Sequence, residues 1–405
     1  MKDVLKRILM LVAGNGFAQA VSLISLPFIT RYFSILEVGE YNVLLSWILF
    51  LSVLFSFGFN RVVIFLKNDE ELGFVLTIYA LLSMGILCVL PLLSVFIDFG
   101  LIVILSIVGG VVASWVVVME SVLYRRERFK TQSINHAAFS LYNHPVKVFS
   151  ALFFPISQAL IKITFIAYAL KLLLLLYLNY PERSLYLRKL DFSRFSRIWF
   201  EHKDLFTYRY LQSVIAAVGA YSPVILLGFF YGSEAVAHLG IAMGVVGIPL
   251  VLIGNSILNV LQSRYANKSL MIEYYYEFLK VTFLLAGISV MISLLLYYFG
   301  EPAVVYIFGD LWADTYEYML IVSLWLLPTL ICKPSMALTT NLKLDRFLFF
   351  FELVSVLIKV LVIVLSNYND FEILLTLKVF SVLSGVLYLL YALFVTIQFK
   401  KVLAV

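Results

Sequence analysis

Apolar segments long enough to cross a lipid bilayer recur along the whole chain. A spanning helix needs about 20 mainly apolar residues. Hydrophobic residues make up 63% of the 405 and charged residues only 13%, with mean hydropathy +1.01, whereas soluble domains are about half apolar and a quarter charged. We therefore predict an all-α polytopic membrane protein with about twelve spans, near residues 8–30, 41–60, 73–97, 101–123, 134–156, 161–179, 208–231, 236–259, 277–299, 316–337, 346–366 and 372–397.

The basic residues indicate the orientation of these spans. Most of the 30 lysines and arginines fall in loops on one side, together with both chain ends, whereas the opposite loops are mainly acidic. Because cytoplasmic loops carry the excess of Lys and Arg, we expect both termini in the cytoplasm. The net charge of +6 needs no nucleic-acid partner to explain it, since orienting charges account for it.

A long central loop and a weak internal repeat divide the chain into two halves. When the sequence is aligned with itself at one fixed offset, Asn15 matches Gln212 and Glu37 matches Glu234. Six spans in each half give the copies the same orientation, which is a parallel pseudo-repeat. We predict an N-terminal lobe over 1–180, a cytoplasmic linker over 181–207 and a C-terminal lobe over 208–405, with a shared cavity.

The linker contains an amphipathic segment. Basic residues alternate there with apolar ones at roughly helical spacing: Phe192, Arg194, Phe195, Arg197, Ile198, Trp199, Lys203, Leu205 and Phe206. We expect a helix on the cytoplasmic leaflet, in contact with membrane lipids.

Motifs for catalysis and metal binding are absent from the sequence. It has no GxxxxGK[ST], GxSxG or HExxH motif. The four histidines are scattered, and two cysteines, Cys88 and Cys332, cannot build a disulfide framework. We therefore expect no enzyme activity, no metal and no cofactor.

Ionisable side chains within the predicted spans are the informative residues. Lys147 and Lys171 lie near the middle of the fifth and sixth spans, and His144 shares a helical face with Lys147. Charges in a bilayer usually face the bundle interior or a watery cavity. Glu120 is the nearest available acid in this half. We favour a cation-lined cavity for an anionic substrate.

Other charged residues allow two interpretations each. Lys359 lines the same cavity or forms a structural pair with Glu352, seven residues earlier; Lys378 binds substrate or reaches the outer headgroups. Arg31 and Arg61, at the ends of the first two spans, are substrate ligands or interfacial anchors. Glu120, Glu352 and His144 are candidates for coupling to a proton or sodium gradient.

Uncharged polar residues mark two further spans. Asn15 and Gln19 lie on one face of the first span, where Pro27 permits a kink, and are candidate cavity residues. The eighth span contains Gly247 and Pro249, which permit bending. Packing and interhelical hydrogen bonds are the alternative explanation for such residues.

One segment resembles a known family. Residues 16–42, GFAQAVSLISLPFITRYFSILEVGEYN, are similar to the opening of bacterial polysaccharide and O-antigen flippases. The shared outer-loop pattern, R-x-F/L-x-x-x-x-F/V-G-x-Y/F, is met here by Arg31, Phe33, Val38, Gly39 and Tyr41. The second span then ends in Phe57-Gly58-Phe59-Asn60-Arg61, similar to the arginine-containing ending of that family.

The resemblance implies a member of the multidrug/oligosaccharidyl-lipid/polysaccharide exporter superfamily in the bacterial inner membrane. Such flippases carry an undecaprenyl-pyrophosphate-linked oligosaccharide, such as a unit for lipopolysaccharide, to the periplasmic leaflet by alternating access through a cationic cavity. A polysaccharide polymerase and a chain-length regulator are the implied protein partners. Arg31 and Arg61 fall within the matching segment.

Two other functions stay open. A drug/cation antiporter of the same superfamily would need buried acids facing the first-lobe cavity, and the first span has none. A membrane polysaccharide polymerase would need a long outer loop with arginines, whereas the outer loops here are short and acidic.

Overall fold

The computed structural model describes residues 2–94, 100–153, 158–179, 192–265, 272–339, 342 and 344–403. All regular secondary structure in these ranges is helical. The helices are α1 (Lys2–Tyr32), α2 (Ile35–Phe55), α3 (Phe59–Phe65), α4 (Asp69–Ser94), α5 (Leu101–Arg125), α6 (Phe129–Phe153), α7 (Ala159–Leu178), α8 (Phe192–Glu201), α9 (Tyr210–Tyr231), α10 (Ser233–Val246), α11 (Asn255–Tyr265), α12 (Ile272–Phe308), α13 (Thr315–Ile331), α14 (Lys333–Leu338), α15 (Asp345–Tyr368) and α16 (Ile373–Leu403). Single π-helical turns occupy Leu205–Arg209 and Leu250–Gly254.

The all-helical membrane architecture is confirmed. Within the described residues, nine helical segments are long and apolar enough to span a bilayer. A tenth is formed if Ser233–Val246 and Leu250–Gln262, which meet at 46°, make one bent span. Two further helices, α1 with 31 residues and α6 with 25, coincide with the first and fifth predicted spans. The full count of twelve and the orientation stay predictions.

The chain separates into two compact units. The first contains Met1–Ser25 and Tyr41–Tyr221, and the second contains Leu26–Glu40 and Ser222–Val405. The division within α1 falls next to Pro27, which removes one backbone donor from the helix. Segment 192–207 belongs to the first unit. The predicted lobe boundaries stay a prediction.

The first unit packs through close helix contacts and an aromatic core. Gly109 and Gly110 on α5 meet α2, and a Cβ there would lie 2.8 Å from Ile48 and 2.6 Å from Leu51. Small residues are what permit such an approach between membrane helices. Tyr79 is fully buried in the core.

The amphipathic helix of the linker is present as α8, but its apolar face is covered by protein. Ile198 belongs to the core of the first unit and is 2% exposed. Trp199 stacks on Phe206 with ring centroids 4.8 Å apart. Ile198 and Trp199 therefore pack against the core of the first unit and do not form the lipid-facing surface that the periodicity indicated.

The second unit is built around α13. Gly385 on α16 approaches α13 so closely that a Cβ would lie 2.1 Å from the Leu324 carbonyl oxygen. Phe278, Tyr391 and Phe399 form part of a second buried cluster. The longest helix, α12, has 37 residues and exposes most of its surface.

Candidate functional site

Helix α6 carries polar residues into the interior of the first unit. Lys147 is 0% exposed, and its Nζ donates a hydrogen bond to the Tyr41 hydroxyl at 3.0 Å. The same Nζ lies 4.3 Å from the centroid of the Tyr41 ring, which is a cation–π contact. Among the described residues, no carboxylate lies within ion-pair distance of Lys147. Its positive charge is therefore not neutralised by an acid in this part of the chain.

A buried charge cluster lies on α5, α6 and α7 of the same unit. The Lys171 Nζ is 2.8 Å from Glu120 Oε1, and the His136 Nε2 is 3.7 Å from the same oxygen. Gln132 contacts His136 through their side-chain nitrogens at 2.9 Å. Lys171 also lies over the Phe139 ring at 4.8 Å. The cluster thus contains one ammonium, one carboxylate and an imidazole that can carry a proton.

Several buried polar atoms in this unit have no hydrogen-bond partner among the described residues. Asn135 is fully buried with both amide atoms unsatisfied, and Thr164 is 2% exposed with an unsatisfied hydroxyl. Further such atoms belong to Asn42, Gln132, Asn143 and His144. Unpaired polar atoms are costly in a low-dielectric interior. Together with the two buried lysines, these groups make the first unit a candidate for contact with a polar ligand.

Lys359 on α15 is a buried lysine of the second unit. Lys359 is 3% exposed, with Nζ 4.7 Å from the Tyr388 ring centroid and 5.9 Å from that of Trp325. Glu352, on the same helix, interacts with it electrostatically. Lys359 therefore has the acidic neighbour expected for a structural pair, and its place in a substrate cavity stays a prediction.

Two predicted ligands of this unit are exposed. The Arg31 Nη2 donates to the backbone carbonyl oxygen of Tyr306 at 2.6 Å, and thus holds the end of α1 against α12. Lys378 on α16 lines an open groove of about 760 Å³ that also includes Glu317. Both arrangements fit anchoring, and substrate contact stays a prediction for both.

The remaining predicted residues lie in the first unit. Gln19 on α1 is half-buried, whereas the side chain of Asn15 lies outside the described residues. Arg61 on α3 donates to the Ser213 hydroxyl through Nε at 3.0 Å and Nη2 at 2.7 Å. Arg61 is not among the residues that contact Lys147 or Lys171 in the described part of the chain.

Sequence reasoning missed two residues that the structure brings into these contacts. Tyr41 was noted for the loop pattern but not as the partner of Lys147, and His136 was seen as an isolated histidine. The signal for His136 was spacing, because Gln132, His136, Asn143 and Lys147 repeat along α6 at four- and seven-residue intervals. Tyr41 is remote from Lys147 in sequence and gave no such signal.

No protein-family model and no curated protein match the chain. Solved structures do match its fold. "Lipid II flippase MurJ, inward closed conformation" aligns with TM-score 0.74 and 14% identity, covering 98% of this chain and 90% of that one. An inward-facing "multidrug resistance MATE family transporter of the MOP superfamily" aligns with TM-score 0.67 and 12% identity, covering 95% and 94%. A MOP superfamily transporter from Pyrococcus furiosus aligns with TM-score 0.59 and 14% identity, covering 98% and 96%. The chain has the fold of MOP transporters.

Proposed function

We propose that this protein is a flippase for an undecaprenyl-pyrophosphate-linked oligosaccharide, such as an O-antigen repeat unit, in the bacterial inner membrane. The observation that carries the proposal is Lys147. Its ammonium is fully buried and has no carboxylate within ion-pair distance among the described residues. A charge held in this way costs several kcal/mol, and intramembrane charges of this kind typically serve a transported ion or substrate.

The fold and other polar groups of the first unit support the same proposal. A lipid II flippase shares the fold over nearly the whole chain. Unsatisfied amide and hydroxyl groups, including those of Asn135 and Thr164, offer hydrogen bonds to a sugar or a phosphate. The substrate would cross by alternating access, and a polysaccharide polymerase would use the product on the far leaflet.

A drug/cation antiporter is the second candidate. It is favoured by Glu120, a half-buried acid in contact with Lys171 and close to His136, because an intramembrane carboxylate can exchange protons for a cation. MATE transporters share the fold as well. In this function the Glu120 carboxylate, and not the Lys147 ammonium, is the essential group.

The deciding experiment is deletion of the gene, followed by extraction of lipid-linked sugars and surface polysaccharide. We expect loss of surface polymer with accumulation of single lipid-linked units on the inner leaflet. Surface glycolipid capped by one unpolymerised unit contradicts the proposal and indicates a polymerase. Unchanged polysaccharide with new drug sensitivity also contradicts it and indicates the antiporter.

Complementation of the deletion tests the role of Lys147. Lys147→Met should restore less than a tenth of the polymer at equal membrane abundance, because the transported anion loses its counter-charge. Lys400→Met, which removes an exposed lysine in the last turn of α16, is the matched control and should restore the polymer fully. Wild-type polymer with Lys147→Met contradicts the proposal.

A further inference from the structure

Two arginines of the first unit are held at a junction of irregular backbone. After α2 ends at Phe55, the chain turns through Phe57 and Gly58, with φ of 46° and 78°, before α3 begins. The π-helical turn Leu205–Arg209 packs on this break, since a Cβ at Gly58 would lie 3.2 Å from the Leu205 carbonyl oxygen. Both segments depart from regular α-helix at their point of contact, and π-turns are frequent at functional sites.

Aromatic contacts fix this junction. The Tyr210 hydroxyl donates to the Leu54 carbonyl oxygen at 2.7 Å, which ties α9 to the end of α2. Phe59 and Phe206 pack edge to face with centroids 5.3 Å apart, and Phe206 is 4% exposed. The backbone positions of Arg61 and Arg209 are therefore set by buried packing.

Hydrogen bonds through one serine connect the two arginines. Arg61 donates twice to the Ser213 hydroxyl, and that hydroxyl donates to the Arg209 carbonyl oxygen at 2.9 Å. The Arg209 Nη1 donates to Gln212 Oε1 at 3.4 Å. Both arginine residues are half-buried, and each guanidinium has five N–H donors, so donors remain beyond these contacts.

The arginine pair is not neutralised by acids. Burial, followed by the nearby charge of Arg209, lowers the pKa of Arg61, yet an arginine stays protonated in proteins. Among the described residues neither guanidinium has a carboxylate within ion-pair distance. Two like charges held together by packing cost free energy unless an anion lies between them.

Neighbouring arginines of the first unit are paired instead. Arg125 and Arg126 contact Asp69 at 2.7 and 3.1 Å, and Arg194 contacts Glu70 at 3.1 Å. These side chains thus have acidic partners, whereas Arg61 and Arg209 have no ion-pair partner among the described residues.

We propose that Arg61 and Arg209 form a binding site for a phosphate or diphosphate group that carries at least two negative charges. Guanidinium groups match phosphate oxygens in geometry, and two of them balance a dianion. Ser213 orients Arg61 within the site. The ligand identity rests on the proposed function: it is the diphosphate of the lipid-linked substrate, bound on the face expected to be cytoplasmic.

Binding to the purified full-length protein in nanodiscs tests this site. The probes are geranylgeranyl diphosphate, the phosphate-free alcohol geranylgeraniol, inorganic pyrophosphate and phosphatidylglycerol. We expect the diphosphate lipid to bind, inorganic pyrophosphate to compete with it, and the alcohol to bind at least tenfold more weakly. Equal competition by phosphatidylglycerol, whose headgroup carries one charge, contradicts the requirement for two charges.

Variants assign the binding to the two arginines. Arg61→Gln and Arg209→Gln should each weaken diphosphate binding about tenfold or more, the loss expected from removing a charge-assisted hydrogen bond. Arg194→Gln is the matched control and should change the affinity less than twofold. Unchanged binding in both glutamine variants, or an equal loss in the control, overturns the proposal.

Stability measurements separate binding from a structural role. Without ligand, Arg209→Gln should melt at the wild-type temperature or above it, because one of two like charges is removed. Arg61→Lys and Arg209→Lys keep the charge, so we expect them to melt as wild type does and to keep part of the affinity. Binding that falls only in variants with a lowered melting temperature overturns the assignment.

The site and the proposed function can fail separately. Arginine-dependent diphosphate binding together with normal polysaccharide in the deletion strain would support the site and contradict the flippase. Loss of polymer in the deletion strain, with diphosphate binding that does not depend on either arginine, would support the flippase and overturn the site.

Discussion

Lys171 and Lys147 lie on neighbouring helices of the first unit and are buried to a similar degree, 6% and 0% exposed, but their partners differ. Lys171 has a carboxylate 2.8 Å away, that of Glu120. Among the described residues, the contacts of the Lys147 ammonium are with the hydroxyl and ring of Tyr41. Burial of a lysine in this unit therefore does not require an acid beside it.

The difference separates two kinds of buried charge. An ion pair is close to neutral, and its removal as a pair is often tolerated, whereas removal of one partner leaves a buried charge. A buried ammonium without an acidic partner lowers the stability of the folded state, and apolar packing around it does not offset this cost. We infer that the Lys171 cluster contributes to structure or ion coupling, and that Lys147 is kept for a ligand.

The largest effect is expected from breaking the ion pair. Glu120→Gln should lower the free energy of unfolding by about 3–5 kcal/mol, because it leaves the Lys171 ammonium without its partner. The double variant with Lys171→Met should recover most of that loss. Thermal or denaturant unfolding in detergent measures both. Equal destabilisation of the single and double variants would show that the pair is not the cause.

The opposite stability effect is expected at Lys147. Lys147→Met should leave stability unchanged or raise it, since a buried charge is replaced by an apolar chain of similar length. Tyr41→Phe keeps the ring but removes the hydroxyl, so it should destabilise the protein by about 1.5–3 kcal/mol, as for a hydrogen bond to a charged group. If Lys147→Met unfolds as readily as Glu120→Gln, the distinction between the two lysines is wrong.

A smaller effect is expected at Lys359, where aromatic rings lie near the ammonium. Tyr388→Phe retains a ring beneath Nζ and should be nearly neutral. Tyr388→Leu removes the ring and should cost about 1–2 kcal/mol more than the phenylalanine variant, the range of a desolvated cation–π contact. Unfolding of the two variants side by side measures the difference. If the two variants are equally stable, the Tyr388 ring does not stabilise Lys359, and Glu352 is the neighbour that does.

The smallest effect is expected from an ion pair on the surface, between Lys67 and Glu201. The hydrogen bond from Lys67 lowers the pKa of Glu201 below its ordinary value of 4.5. Its stabilisation is therefore present above that value and is lost as the pH falls through the lower, folded-state pKa. At neutral pH, Glu201→Gln should melt at the wild-type temperature within experimental error, because exposed ion pairs contribute little to stability. A shift as large as that of Glu120→Gln would contradict this view.

Most helices were predictable because apolar length alone dictates them. The span expected near 101–123 is Leu101–Arg125, and the one near 161–179 is Ala159–Leu178. The bend expected from Gly247 and Pro249 appears as a 46° break in the eighth span. Apolar length did not reveal the break at 56–58, because its Phe-Gly pair is as apolar as the span itself.

The contacts between buried charges were less predictable. Glu120 was identified as the nearest acid to Lys147 and Lys171, but only Lys171 reaches it. His136, which lies near Glu120, precedes Lys147 on α6 by about 16 Å along the helix axis. Tyr41 lies far from Lys147 along the chain, and no periodicity joins them. The contacts of Arg209 were not predicted for the same reason. They depend on the π-turn Leu205–Arg209, which packs against the break before α3.

The length of α12 makes the protein sensitive to the thickness of its membrane. At about 1.5 Å per residue, its 37 residues extend roughly 55 Å, nearly twice the hydrocarbon thickness of about 30 Å. Its longest stretch without charged residues lies between Lys280 and Glu301 and is about 20 residues long, enough for one crossing. The helix ends must then project from the bilayer or be accommodated by tilt. A thicker or thinner bilayer would change that tilt, so hydrophobic mismatch becomes a physical variable that acts on the second unit.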